Sequence, residues 1–325
     1  MSSFPLLRLP HLASEQVFKS MAIAELVELS FCSAACKDIV QRQRFRSLKT
    51  EITIGSFLAI QLRIGRKTFF EWSFRKTYCP RGTTSKRVIH GTEILVKQRE
   101  YGFSTGGRPG PKIKLVFNYL QELFNLPISQ FSYDDYSRVS IFPKTLGITK
   151  CDSISFSSSE SPVDNEEMKY ILEKMEPAKK LYFNFGDHLD CLKSVKFTND
   201  EICFWQSPWL TRDQFLSLSC ARIRLNYTNL TVEDVMDFVL QWFYSSNTGL
   251  EKLDIICTGY PVTVDWSRFQ AVPWDPSVRG QYYDTFKHMD FSSGLDITRS
   301  DGLLATIKQS SNRFDFVVWH NRFPT

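Results

Sequence analysis

The stretch from residue 222 to residue 243, RIRLNYTNLTVEDVMDFVLQWF, contains one strand-and-helix unit and decides the fold class. Its first part, Ile223–Leu225, has the alternation of a short strand. Thr231 is placed to cap the following helix, because a threonine side chain can accept a hydrogen bond from the free amides of a first helical turn. The helix has an apolar stripe at helical spacing, formed by Val235, Phe238, Val239 and Trp242.

Similar strands recur on both sides of this unit, at steps of 27, 21, 21 and 30 residues. These steps are close to the spacing of leucine-rich repeats, in which each unit buries its apolar face on its neighbours. The pattern predicts an irregular βα solenoid, with the strands side by side in one sheet and helices such as 165–176 and 232–243 on one side. The other side and the loops then form the natural recognition surface. The strand segments are 154–156, 181–183, 202–204, 223–225 and 253–255.

Two further signals support this interpretation. Asp164 is placed to cap a helix that has Glu167 in its first turn. Near the C-terminus, Ser300-Asp301-Gly302 is a tight-turn signal between two apolar segments, and alternating Phe314, Phe316 and Val318 follow. The sequence therefore predicts an antiparallel cap at the end of the solenoid.

The N-terminal residues 4–45 predict three short helices. Val17, Phe18 and Met21 share a face of the first helix, with Ser14 as its N-cap. Three helices of this size cannot bury their apolar faces alone, so they dock either on the rest of the protein or on another protein. The second helix is marked by Leu26 and Leu29, and the third by Cys36, Ile39 and Val40.

Residues 52–101 predict β structure, because their apolar and polar residues alternate. Residues 79–92 and 104–111 are predicted loops, since they are rich in Gly, Pro and polar residues. A helix follows from about Lys112, with a buried stripe that begins at Ile113.

Composition excludes several classes of protein. The 325 residues are 42% hydrophobic, which is too apolar for a disordered chain, and the net charge of +5 is small. No apolar run reaches the length of a membrane span, and no signal peptide is visible. The eight cysteines contain no Cys-x-x-Cys pair, which indicates reduced thiols in a cytoplasmic or nuclear protein.

Charge is concentrated in residues 37–114, which contain 18 Lys and Arg against 5 Asp and Glu. Two interpretations stay open for this segment. It forms either a solvated β surface, because its basic residues alternate with apolar ones, or a surface for nucleic acid or another acidic ligand.

Two short motifs resemble sites for catalysis or metal binding. Gly102–Gly106 matches the G-x-S-x-G pattern around Ser104, but Pro109 and Pro111 follow where a nucleophile elbow needs an immediate helix. The segment Asp187–Cys191 places a histidine between carboxylates, with no second cluster to complete a metal site. We therefore predict no catalytic residue, no metal and no cofactor, and the protein is not expected to be an enzyme.

The N-terminal residues resemble an F-box, most closely that of the large F-box families expanded in nematodes. The residues that carry the resemblance are Phe4–Pro10, Val17–Met21, Glu25-Leu26, Leu29–Ser33 and Lys37.

This resemblance implies docking on the Skp-type adaptor of a cullin ubiquitin ligase. Some members of the apolar F-box set would pack within the F-box, and the others would contact the adaptor. The set consists of Leu6, Leu7, Leu9, Pro10, Val17, Phe18, Met21, Leu26 and Leu29.

A second part of the chain independently resembles the F-box-associated domain of type 2, which in the same families is presumed to hold substrates. The residues that carry this resemblance are Trp209–Thr211, Phe215–Leu218, Cys220, Ile223–Leu225, Leu230-Thr231, Asp234, Phe238, Trp242 and Leu250–Leu253.

The chain departs from these families at three places. Ala22-Ile23-Ala24 stands where the F-box pattern has Asp-Pro-Ile, which removes an N-cap and an N1 proline at a cost of about 0.5–2 kcal/mol. In the associated segment, Met236 replaces an Asn and Gln241 replaces a common Lys.

Together these features predict an α+β protein with three parts. Residues 1–46 form a small three-helix F-box, and residues 50–150 form a basic β-rich region with one helix. Residues 151–325 form a leucine-rich-repeat-like, substrate-binding solenoid with an antiparallel cap. The expected function is substrate recognition for a cullin-type ubiquitin ligase, with an unknown protein substrate and with neither membrane nor nucleic acid as a partner. The alternatives are an F-box-like scaffold outside the ligase, or a nucleic-acid or acidic-ligand binder that uses residues 37–114.

An aromatic segment from Trp266 to Phe286 supplies the candidate substrate contacts Trp274, Tyr282 and Tyr283, because these residue types are enriched at binding hot spots. The alternative is that these rings plug the open end of the solenoid.

Overall fold

The structure is a computed structural model that places α-helices and β-strands in two compact units. Residues 1–155 and 173–176 belong to unit 1, and residues 156–172 and 177–325 belong to unit 2. The residues described are 10–43, 45, 47–76, 84–135, 139–158, 164–186, 191–192, 195–257, 266–283, 289–310 and 312–320.

Unit 1 combines three N-terminal helices with a mixed sheet and a longer helix. The sheet order is β7-β1-β2-β3-β6-β5-β4, in which β1 pairs with β7 and β3 pairs with β6 in parallel, and the other pairs are antiparallel. The helices are α1 (His11–Ser20), α2 (Ile23–Ser30), α3 (Ala34–Gln41), α4 (Pro109–Phe124) and α5 (Pro143–Leu146). The strands are β1 (Lys49–Ile54), β2 (Leu58–Ile64), β3 (Lys67–Arg75), β4 (Thr84–Ile89), β5 (Thr92–Arg99), β6 (Gly102–Gly106) and β7 (Ile128–Asp134).

A further strand, β8 (Ser153–Ser157), falls at the division between the units. Unit 2 then alternates strands and helices before it ends in antiparallel strands. Its helices are α6 (Asn165–Glu173), α7 (Arg212–Leu216) and α8 (Val232–Tyr244). Its strands are β9 (Lys180–Asn184), β10 (Glu201–Gln206), β11 (Arg222–Thr228), β12 (Lys252–Cys257), β13 (Val272–Pro273), β14 (Leu295–Thr298), β15 (Leu304–Ser310) and β16 (Arg313–Val318).

Strands β9, β10, β11 and β12 lie next to one another and are parallel, so the prediction that these four segments share one sheet is confirmed. Strands β16, β15, β14 and β13 continue the sheet from β12 in antiparallel pairs. The predicted caps are present as well: the Asp164 carboxylate accepts from the Glu166 and Glu167 amides, and the Thr231 hydroxyl accepts from the Asp234 amide.

Three local predictions were wrong. Residues 84–89 and 104–106 lie in strands, whereas the sequence predicts loops there. Gly102 fits β6 because a Cβ atom there would collide with the Glu71 carbonyl oxygen of the paired strand. The helix α4 begins at Pro109 and not near Lys112, since a first helical turn tolerates prolines that lack an N–H. The first helix begins at His11, so Ser14 lies inside it and is not its N-cap.

Candidate functional site

The structure divides the apolar residues at the N-terminus into buried and accessible members. Phe18 and Leu26 are buried, which places them in the core of unit 1. Val17, Met21 and Leu29 are partly buried, and Pro10 is exposed. Leu6, Leu7 and Leu9 lie outside the described residues. Val17 lies in the last turns of α1, and Met21 is the extended residue that follows the end of this helix.

The C-terminal end of α2 packs against α4. The hydroxyl oxygens of Ser30 and Tyr119 lie 2.6 Å apart, and the Phe31 ring stacks on the Tyr119 ring at 5.0 Å between centroids. The edge of Phe31 also meets Trp72 of β3. These contacts turn the Phe31 side of α2 toward the rest of unit 1.

Ion pairs also attach α2 and α3 to other elements of unit 1. The Arg87 guanidinium donates to both carboxylate oxygens of Glu28, the bidentate geometry that gives the stronger class of ion pair. Lys37 of α3 donates to Glu122 of α4 at 2.7 Å. The side of the helices that carries Val17 and Met21 takes no part in these contacts.

An open groove of about 900 Å³ borders this accessible side. Its wall includes Met21 and Ala22, which connect α1 to α2, and Ile64 and Phe69 from the β2–β3 hairpin. At Ala22, the backbone N–H donates to the Glu25 carboxylate at 2.7 Å, which supplies half of a capping box. The lost N-cap side chain is therefore only partly compensated.

In unit 2, helices cover one face of the sheet. The Trp242 ring of α8 packs edge-on against Phe316 of β16, and Phe238 stacks on Phe215 of α7. The apolar strand residues Leu253 and Ile255 are fully buried.

The opposite side of this sheet is polar, and we call it the open face. One row crosses five adjacent strands in register: Tyr182, Cys203, Arg224, Asp254 and Asp315. The open face comprises this row together with Lys180, Glu201, Trp205, Arg222, Lys252 and Arg313, which lie on the same strands.

A buried carboxylate organises the centre of the open face. Oδ2 of Asp254 accepts from Arg224 Nε at 3.1 Å, from Arg313 Nη2 at 3.0 Å and from Lys252 Nζ at 3.4 Å. Burial lowers the pKa of Lys252. Burial raises the pKa of Asp315, and the neighbouring Asp254 carboxylate raises it further.

The edge of the open face combines a phenol with an ion pair. Tyr182 donates its hydroxyl hydrogen to Glu201 at 3.0 Å, and Glu201 also pairs with Lys180. Burial, followed by the nearby Glu201 charge, raises the pKa of Tyr182 to about 12. The phenol therefore remains a neutral hydrogen-bond donor at physiological pH.

Trp205 is a large exposed side chain that the sequence analysis did not select. Ile202 and Phe204 of the same strand are buried, and alternation places Trp205 on the same side as Cys203, next to an irregularity in the pairing of β10 with β9. The signal was therefore in the sequence, one residue beyond the predicted strand 202–204.

The three aromatic residues proposed from the sequence have mixed environments. Trp274 is partly buried and donates its indole N–H to the Arg279 carbonyl, and Tyr282 is exposed. Tyr283 donates to the Glu251 carbonyl at 2.7 Å and its ring packs against Trp319. Their role in substrate binding stays a prediction.

The motifs considered for catalysis and metal binding gain no support. Ser104 is buried in the middle of β6, between β3 and β5, and not at a sharp turn. The residues 187–190 lie outside the described part of the chain. Among the residues that the structure describes, no three His, Cys, Asp or Glu residues are grouped as a metal site. No helix in that described part is long and apolar enough to span a membrane.

Two parts of the chain match known families. Residues 6–48 match the F-box domain, and residues 190–255 match the F-box associated family. The chain therefore carries an F-box followed by an F-box-associated segment, which confirms both resemblances. F-box proteins are generally non-catalytic adaptor subunits, and neither match is to a catalytic family.

Similar proteins occur in Caenorhabditis elegans. Uncharacterized protein F59B2.9 is 24% identical over 347 residues, which cover 99% of this chain and 80% of the relative. The Skn-1 dependent zygotic transcript 15 protein is 23% identical, and the alignment covers 96% of each chain. No solved structure matches the chain significantly.

Proposed function

We propose that this protein is the substrate-recognition subunit of a cullin-type ubiquitin ligase. Its F-box binds the Skp-type adaptor and through it the cullin, and residues 151–325 bind a protein substrate. The chain contributes positioning, since holding a substrate near a reactive group accelerates transfer without a catalytic residue of its own.

The observation that carries the proposal is the accessible apolar surface of Val17, Met21 and Leu29. The contacts of Ser30 and Phe31 hold the other side of these helices inside unit 1. A partner that covers apolar surface gains about 25 cal/mol per Å² of area removed from water. The accessible side is therefore the adaptor-binding side in this proposal, with Pro10 at its edge.

For residues 151–325 we propose an irregular leucine-rich-repeat-like solenoid. The parallel order of β9 to β12, with α7 and α8 packed over one face, supports this proposal. The antiparallel strands β13 to β16 would then serve as its cap.

The test is assembly with the ligase. The full chain is co-expressed with the Skp-type adaptor and the N-terminal part of the cullin, and the mixture is separated by gel filtration. We expect one co-eluting complex of all three chains. An adaptor–cullin complex that elutes without this chain would contradict the proposal and favour the scaffold alternative.

A further inference from the structure

The open face of unit 2 arranges its charges in two layers. The Arg222 and Arg224 side chains are 53% and 47% exposed, whereas the Asp254 side chain, with which Arg224 pairs, is 3% exposed. Lys180 and Arg313 are likewise more exposed than their carboxylate partners Glu201 and Asp315. The carboxylates therefore lie close to the sheet, and Lys180, Arg222, Arg224 and Arg313 meet the solvent, whereas Lys252 is 13% exposed and lies beside Asp254.

The same surface presents aromatic groups. Trp205 is 48% exposed on the strand between those of Tyr182 and Arg224. Tryptophan, tyrosine and arginine are the residue types most enriched at binding hot spots, because each offers a large contact area together with a polar group. A ligand on this face would thus meet cations and an indole ring side by side.

We propose that the open face binds a short acidic segment of a polypeptide. Its carboxylates pair with the outward guanidinium groups of Arg222 and Arg224, and its neighbouring side chains pack on Trp205. Arginine suits this role because its planar group binds a carboxylate through two parallel hydrogen bonds. The inference rests on the proposed function, for which it names the chemical class of the substrate.

A polypeptide fits this surface better than a nucleic acid does. The carboxylates of Glu201 and Glu251 alternate with the cations along one edge of the face, so a continuous line of phosphates would meet negative groups. Residues 115–325 also contain 27 Asp and Glu against 20 Lys and Arg, which repels a long polyanion more than a short motif.

The test uses fluorescence anisotropy of the full chain with three labelled probes. These are a peptide of alternating Glu and Ala, a peptide of alternating Lys and Ala, and a single-stranded DNA of similar length. We expect binding of the Glu peptide only, and an affinity that falls as salt is raised. Equal or tighter binding of the Lys peptide or the DNA, or no binding of the Glu peptide, would overturn the inference.

Variants locate the site. Arg222→Gln and Arg224→Gln should each weaken binding of the Glu peptide about tenfold, as expected for the loss of one charge-assisted contact. Arg268→Gln is the matched control, because Arg268 is an exposed arginine of the short 3-10 helix Ser267–Phe269 and should leave binding unchanged. Unchanged binding in both open-face variants would overturn the location. Thermal melting of each variant verifies folding, and Trp205→Ala repeats the test without changing a charge.

Co-elution with the adaptor separates this inference from the proposed function. The open-face variants should retain the adaptor, because they do not alter the F-box. A chain that binds the adaptor but shows no preference for the Glu peptide would overturn the inference alone.

Discussion

The hydroxyl groups of Ser30 and Tyr119 meet at 2.6 Å in the interior of unit 1, although the residues are 89 positions apart in the chain. Ser30 also donates to the Val27 carbonyl of its own helix, so Tyr119 is the donor of the pair. The contact connects the second F-box helix to α4, which follows the β-rich strands. The F-box helices are therefore packed into unit 1, and the side that carries Val17 and Met21 stays accessible.

Removal of the Tyr119 hydroxyl should loosen this connection. We expect Tyr119→Phe to lower the free energy of unfolding by about 0.5–1.5 kcal/mol, the usual net value of one hydrogen bond, while the ring still stacks on Phe31. Urea unfolding followed by circular dichroism measures the change. Tyr244→Phe is the control, since Tyr244 is 79% exposed and should have no effect. Equal losses in both variants would contradict a specific role for the buried contact.

Tyr119 should also make the stability of the folded state depend on pH. Burial raises the pKa of Tyr119 from its ordinary value of 10.0 to about 12. The folded state keeps this proton where the unfolded chain has lost it, so the contribution to stability is complete below pH 10 and is lost as the pH rises toward about 12. Stability should therefore fall more steeply between these pH values in the wild type than in Tyr119→Phe. Parallel curves for the two proteins would refute the assignment.

A residue with a side-chain acceptor at position 22 should stabilise the N-terminus of α2. Ala22 has the extended backbone of an N-cap residue but no side-chain acceptor. We expect Ala22→Ser to raise the free energy of unfolding by about 0.5–2 kcal/mol, because its hydroxyl can bind a free amide of the first turn. Ala35→Ser makes the same chemical change inside α3 and should bring no gain. A melting temperature that is unchanged or lower in Ala22→Ser would count against this role of the position.

The antiparallel end of unit 2 depends on a buried ion pair. The Arg279 side chain is fully buried and pairs with Asp296 at 2.8 Å, and Thr306 donates to the same carboxylate. Asp296→Asn should cost about 3–5 kcal/mol, because it leaves the buried guanidinium without a counter-charge. Asp237→Asn is the control, since both members of its ion pair with Arg212 are exposed, Asp237 at 43% and Arg212 at 52%. A small and equal loss in both variants would show that the buried pair is dispensable.

Sequence reasoning succeeded where the structural signal is local. The capping residues Asp164 and Thr231 and the alternation in strands such as 202–204 depend only on near neighbours in the chain, and the structure contains them. The family resemblance added the F-box and its associated segment, which the family comparisons confirm.

It failed where distant residues decide the local structure. The segment 102–106 is rich in glycine and resembles a loop, yet its backbone pairs with β3, and Gly102 is what permits the close approach to Glu71. The division of the F-box apolar set also depends on long-range contacts such as Ser30 with Tyr119. No pattern within the N-terminal helices alone reveals which of their sides faces α4.

The central claim is that the accessible side of the F-box binds the adaptor. Isothermal titration calorimetry of the full chain with the purified Skp-type adaptor measures this contact directly. We expect binding by the wild type and by Gln16→Asp, an exposed position of α1 outside the apolar set, and at least a hundredfold weaker binding by Val17→Asp and by Met21→Asp. Undiminished affinity in both apolar variants, with folding verified by thermal melting, would contradict the claim.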